Sequence, residues 1–339
     1  MKNQTTYSKS SLWHDAWRRL KKNRNALAGL ILVTVLIVLA VFAPLIAPAD
    51  PISGNIDDHD MPPFWWKGAV QPGAQVEETE EEESISTVDQ SASEGWGTME
   101  FTFTEETRER VRVPDAYYLF GTDDLGRDIF SRIIYGARLS LMIGFISVGI
   151  GLFFGSILGL ASGFYGGFTD NLIMRTMDLI LSIPYVLLAI LIVAILGPGL
   201  RNAMIAIGVV VIPQFARIIR GSVLSLKEIE YVQAARVLGA GDLRIITRHI
   251  LRNSLSPLIV QTSLTFAAAI LEAAALGFLG LGAQPPSPEW GAMLADGRKL
   301  LLTSPWAVVF PGIAIVTFVL GFNLLGDGLR DALDVRMKG

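Results

Sequence analysis

The chain has 339 residues, 51% of them hydrophobic, with a formal net charge of −4 and a mean hydropathy of +0.46. Soluble domains are rarely so apolar, because one core cannot bury that much apolar surface. There is no cysteine, which excludes a disulfide framework, a zinc–thiolate cluster and a thiol nucleophile.

The spacing of charges separates a membrane protein from a large soluble α/β protein. A bilayer core about 30 Å thick needs roughly 20 apolar residues in a helix. Five windows of about that size or longer carry no charge, and a sixth, 202–216, is shorter but is bounded by Arg201 and Arg217, which can snorkel outward. We therefore predict an all-α polytopic membrane protein with six transmembrane helices, near 26–47, 139–162, 178–197, 202–220, 256–280 and 306–327.

The N-terminal segment 1–25 is a basic tail. Trp13, Ala16, Trp17 and Leu20 recur at helical spacing, which favours a helix lying at the membrane interface, although a basic retention signal would look similar. The apolar stretch that follows is longer than the core of a usual signal peptide, so we predict an uncleaved anchor at 26–47.

Basic residues near the spans set the orientation. The tail carries seven Lys and Arg against one acid, and the segment 216–255 carries seven against three. An even number of spans places both on the cytoplasmic face, together with the C-terminal tail 328–339. We predict a multi-pass protein of the cytoplasmic (inner) membrane.

The segment 48–135 is then an extended extracytoplasmic loop. Residues 77–83 include six Glu, which favours a solvated, disordered linker; calcium binding would need spaced Asp, Asn and Gly ligands that are missing. Near the loop's end, Thr122 or Asp123 is expected to cap the next helix, and Asp128 is expected to pair with Arg132 one turn later.

Small residues and one acid distinguish the predicted membrane domain, 136–327. Gly151, Gly155 and Gly159 recur every four residues, a spacing that lets helices approach closely. Glu272 lies within the fifth span, where an acid normally faces a cavity or a partner. It is a candidate pathway or gate residue, and a structural hydrogen bond to a neighbouring helix is an equal alternative.

The cytoplasmic loop at about 221–255 reads as a short helix, a stop at Gly239 or Gly241, and a second helix that Asp242 can cap. On physical grounds alone it is an amphipathic connector. The segment resembles the EAA motif of ABC importer permeases at Ala234, Ala235, Gly239, His249 and Leu251.

The segment departs from that motif at two positions, with Gln233 in place of Glu and Arg252 in place of Pro. The resemblance implies that this is the coupling helix on which an ATPase docks. The implied docking residues are Tyr231, Gln233, Ala234, Ala235, Gly239 and Ala240.

Three further segments, 119–128, 280–291 and 323–331, resemble the C-type subunit of the dipeptide/oligopeptide/nickel ABC importer permeases. That resemblance implies the type I importer permease fold, a second related permease, two ATPase subunits and an external solute-binding protein, with no nucleic acid partner. Short peptides are the expected cargo, with nickel chelates or another small solute as the alternative.

The resemblance also implies that the chain is a non-catalytic subunit. It has no Gly-Lys pair and hence no phosphate-binding P-loop, so ATP and Mg belong to the partner subunits. No catalytic, metal or cofactor site is expected. The rivals from other classes are an ion-coupled secondary transporter, which would usually show inverted repeats and several acids within the membrane, and a receptor with an acidic ectodomain.

Overall fold

The computed structural model describes residue 18 and the ranges 20–66 and 117–333. The predicted interfacial helix of the tail falls largely outside these residues, as do the acidic stretch of the outer loop and the last six residues. Within the described ranges the protein is helical, and its only β feature is an isolated bridge between Thr122 and Asp128.

Nine helices of eight or more residues follow one another in the described ranges. They are α1 (Arg24–Val41), α2 (Ile129–Tyr165), α3 (Gly167–Leu181), α4 (Tyr185–Leu196), α5 (Leu200–Leu226), α6 (Glu230–Val237), α7 (Leu255–Phe278), α8 (Trp290–Gly297) and α9 (Trp306–Leu333). A helical stretch over 242–254 that includes a π-helical segment, Ile245–Ile250, leads into α7.

Five of these helices are long and apolar enough to cross a membrane, and the bent pair of α3 and α4 makes up to six. The predicted all-α, polytopic fold class is therefore confirmed. The third span differs from the single helix predicted at 178–197, because α3 and α4 meet at 91°. Pro184 explains the break, since proline disfavours helical conformation in the residue before it and lacks an N–H.

Helix α2 begins ten residues before the predicted start of the second span, so the predicted loop end at residue 135 falls within this helix. The sequence prediction places the boundaries of the membrane domain at charged residues. In the structure, other groups of the protein bind two of these charged side chains, so the helix extends past them. Arg132 is buried and donates to the carbonyl of Pro51 at 2.8 Å, and Arg138 donates to the last carbonyls of α1.

The turn before α2 differs from the expectation in its pairing. Asp123 caps free N–H groups of the turn, as expected, accepting those of Leu125 and Arg127 at 3.0 Å, and Asp128 caps α2 by accepting the Ser131 N–H at 2.8 Å. Asp123 is also the ionic partner: it lies 2.7 Å from Arg127 and 3.6 Å from Arg132. Because Asp128 caps the helix, Asp123, five residues upstream of it, pairs with Arg132 instead.

Helix α8 packs against α7 and α9 near the C-terminal end of α7, and its first turn is capped by Glu289. The buried carboxylate accepts the N–H groups of Gly291 at 2.9 Å and Ala292 at 2.8 Å. Burial raises the pKa of Glu289, and the two backbone hydrogen bonds only partly oppose it. This cap fixes the start of α8 and so positions the segment that joins α7 to α9.

The most extensive helix contact among the described residues joins α2 to α5 through the glycine row. A Cβ added at Gly151 would lie 2.4 Å from Val211, one at Gly155 2.5 Å from the Cβ of Phe215, and one at Gly159 2.5 Å from the Ala216 carbonyl oxygen. Real Cβ atoms do not approach so closely, so the backbones touch because these side chains are missing.

We expect Gly155→Leu to disrupt the α2–α5 contact and to cost on the order of 1–3 kcal/mol or more, because the added atoms would overlap α5. The measurement is the apparent melting temperature of the purified protein in detergent. Gly149→Leu is the matched control on the same helix, since nothing lies within 4 Å of a Cβ at that position. Equal melting temperatures for the two variants would contradict the packing role.

Candidate functional site

Helix α6 packs against the ends of the neighbouring membrane helices. Val232 is buried, and the Tyr231 hydroxyl accepts a hydrogen bond from Asn253 at 2.9 Å. The Arg236 guanidinium lies 5.7 Å from the ring centroid of Phe164, at the C-terminal end of α2. Helix α6 therefore contacts both α2 and the stretch that leads into α7.

The C-terminus of α6 is closed by a Schellman motif. Gly239 has φ +82°, and the N–H groups of Gly239 and Ala240 donate to the carbonyls of Arg236 and Ala235. Of the two glycines expected to stop the helix, Gly239 does so. Gly241 caps the next helical stretch, and Asp242 lies in its first turn rather than at the cap position predicted for it.

The side of α6 that faces away from the membrane helices, together with the turn after it, presents apolar side chains to solvent. Val237 is 87% exposed, Leu238 86% and Leu243 76%. Large apolar side chains clustered at such exposure are typical of a surface that another protein covers.

The sequence-predicted docking residues divide between this surface and its support. Exposed residues are Tyr231, Gln233, Ala234 and Gly239, whereas Ala235 and Ala240 are half-buried. The side chain of Gln233, which stands where the motif has Glu, donates to the Glu228 carbonyl at 3.2 Å.

A second feature is a line of polar side chains along one open side of α3, α5 and α7, which we call the polar track. Gln261 donates to Gln214 at 3.3 Å and to Thr265 at 3.0 Å. Arg217 lies one turn further along α5 from Gln214 and is bound to Asp178 of α3 at 2.6 Å. The track comprises Asp178, Gln214, Arg217, Gln261, Thr265 and Glu272.

Gln214 and Arg217 of the track lie well inside the two ends of α5. Helix α5 has 27 residues, which is about 40 Å, and Arg217 is nine residues, or about 14 Å, from its C-terminal end. Arg217 and Asp178 are nevertheless about half exposed on the isolated chain. Because charged groups facing lipid cost roughly 2.5–3.5 kcal/mol each at the membrane centre, this side of the chain faces water or another protein.

Glu272 continues the track toward the C-terminal end of α7. It lies eleven residues after Gln261, which places both on one face of the helix. Its Oε2 atom is buried and has no hydrogen-bond partner among the described residues. Within 20–66 and 117–333, that oxygen therefore does not make the structural hydrogen bond expected as the alternative.

Sequence reasoning missed five of the six members of the track as site residues: Asp178, Gln214, Arg217, Gln261 and Thr265. The available signal was the presence of glutamine within otherwise apolar helices. The sequence predicts that the span containing Gln214 and Arg217 ends near residue 220, whereas α5 continues six residues further, to Leu226.

Comparison with known proteins defines the class. Residues 128–339 match the family described as binding-protein-dependent transport system inner membrane component, and residues 11–63 match the N-terminal TM domain of oligopeptide transport permease C. The chain belongs to the family of binding-protein-dependent transport system inner membrane components and is an ABC importer permease. The resemblance noted in the sequence is thereby confirmed.

The relatives are dipeptide and glutathione permeases. The dipeptide transport system permease protein DppC of Alkalihalophilus pseudofirmus is 47% identical over 98% of this chain and 92% of the relative. DppC of Haemophilus influenzae is 41% identical over 98% of both chains. The glutathione transport system permease protein GsiD of Escherichia coli is 41% identical over 96% of this chain and 91% of the relative.

Among solved structures, an inward-facing MetNI methionine ABC transporter is 21% identical to this chain. The match covers 60% of this chain and 97% of the other, with a TM-score of 0.48.

Proposed function

We propose that the chain forms half of the translocation pathway for short peptides, which an external solute-binding protein delivers. A second, related permease supplies the other half, and two ATPase subunits that bind ATP and Mg drive the cycle. The names of the relatives, which are dipeptide and glutathione permeases, support a short peptide as cargo over a nickel chelate.

The observation that carries the proposal is the apolar surface of α6 and the turn that follows it. In this proposal the surface is the coupling helix, and the ATPase covers Val237, Leu238 and Leu243. Contacts of Tyr231 and Arg236 to the inner ends of the membrane helices support the transmission of ATP-driven motion. In this proposal the polar track lines one wall of the translocation path. Its charged side chains would be costly to expose to lipid.

Replacing Val237 or Leu238 with Asp tests the docking surface. Both side chains point away from the fold, so we expect normal membrane insertion but loss of ATPase co-purification, because a charge would be buried in the apolar interface. The measurement is the amount of ATPase retained when a tagged permease is isolated in mild detergent.

Leu302→Asp is the matched control for this experiment. Leu302 is 97% exposed, and it lies between α8 and α9, on the membrane face opposite α6. In the proposed orientation it faces the exterior, so the ATPase should be retained in full. Retention by the Val237 and Leu238 variants as well would show that the ATPase docks elsewhere.

The orientation is testable because the chain contains no cysteine. We expect a thiol introduced by Leu302→Cys to react with a membrane-impermeant maleimide in intact cells. A thiol introduced by Leu243→Cys should react only after the cells are opened, since the coupling segment is cytoplasmic in this proposal. The reverse pattern would invert the topology and remove α6 from the side on which ATP is found.

A further inference from the structure

Two ion pairs join α3 to α5, and they differ in how completely each is satisfied. Asp170 receives two hydrogen bonds from Arg220, at 2.6 and 2.7 Å, and also contacts the Ser162 hydroxyl. Its side chain is 19% exposed and that of Arg220 34%. This pair is a largely enclosed, two-pronged contact that ties the inner ends of three helices together.

The second pair, Asp178 with Arg217, is open. One guanidinium nitrogen donates to one carboxylate oxygen at 2.6 Å, and the side chains are 54% and 51% exposed. Within the described residues neither side chain makes another hydrogen bond. Most guanidinium donors and the second carboxylate oxygen are therefore available on the open side of the chain, about one turn from Gln214.

An open, monodentate pair can exchange partners at low cost. Guanidinium binds a carboxylate best through two parallel N–H donors, and only one is used here. A peptide with free termini brings one carboxylate and one ammonium, separated by roughly 7 Å of extended chain in a dipeptide. Such a peptide would replace one ion pair with two and leave the charge of the site unchanged, so no unpaired charge arises at membrane depth.

On the basis of the function proposed above, we propose that the Asp178–Arg217 pair is a transient binding station for the termini of the passing peptide. The peptide carboxylate binds Arg217 and its amino group binds Asp178, and the pair closes again when the peptide leaves. Selectivity for free peptide termini then resides in the permease itself, in addition to whatever the solute-binding protein selects.

Gly221 provides a reporter position. It lies four residues after Arg217 on the same face of α5, and nothing lies within 4 Å of a Cβ built there. In the assembled, nucleotide-free importer carrying Gly221→Cys, the rate of reaction with a small neutral methanethiosulfonate is measured with and without millimolar dialanine. We expect dialanine to slow the reaction about threefold or more, and dialanine amide, which lacks the carboxylate, to leave it within about 1.5-fold; these thresholds assume millimolar binding.

Variants of the two ion pairs decide the assignment. Adding Arg217→Gln should abolish the protection by dialanine, whereas adding Arg220→Gln, which breaks the neighbouring pair between the same helices, should preserve it. If Arg217→Gln fails to reach the membrane, the neutral double variant Asp178→Asn with Arg217→Gln leaves no unpaired charge, and its lack of protection is the expected result.

Failure of this proposal and failure of the proposed function give different results. If the thiol at position 221 reacts but dialanine and its amide protect equally or not at all, the binding station is wrong and the path remains. Loss of protection by both arginine variants alike would also overturn the station, since the pair would then act only on structure. A thiol that never reacts would show that this face meets lipid or protein, and the path assignment itself would fail.

Discussion

The contact between α2 and α5 is the constraint on which the rest of the molecule depends. Glycines on α2 bring the two backbones into direct contact over several turns, so the two helices behave as one unit. The polar track lies on α5 and its neighbours, and α6 follows α5 after only three residues. The position of both candidate surfaces therefore depends on a contact to which the glycines of α2 contribute no side chain.

Around this pair, the protein binds its charged groups at each end of the membrane helices in different ways. At the end of the membrane helices away from α6, Asp123 contacts Arg127 and Arg132, and Glu289 caps α8. At the end near α6, Asp170 and Arg220 join α3 to α5. These groups are mostly enclosed by the chain's own helices, whereas Asp178 and Arg217 of the polar track lie on an open side of the chain.

Much of the fold could be predicted from the sequence because lipid imposes a simple rule on composition. Each of the six predicted segments coincides with one of the five long apolar helices or with the bent pair, and the glycine spacing located the α2 face that packs on α5. The rule failed where the protein itself binds a charge: α2 starts before Arg132, and α5 runs past the predicted end at residue 220 to Leu226. It also failed at Pro184, where a continuous apolar stretch conceals a 91° bend.

The site was predicted in part, for a related reason. The end of α6 at Gly239 is encoded locally, since a left-handed residue favours glycine, and the sequence alone narrowed the stop to Gly239 or Gly241. The polar track depends on residues far apart in the chain, such as Gln214 with Gln261 and Asp178 with Arg217, whose pairing only the packing of α3, α5 and α7 creates. A single sequence contains no local signal for such pairs.

Because of the Schellman turn at the end of α6, the backbone path of the apolar surface does not depend on which side chains the surface carries. The turn is made by main-chain hydrogen bonds and one left-handed glycine, and it does not use the side chains of Val237 or Leu238. Those two positions can therefore change without altering the path of the backbone, while Gly239 cannot. A surface of this kind is free to diversify in step with a partner's groove, and a single position keeps its geometry constant.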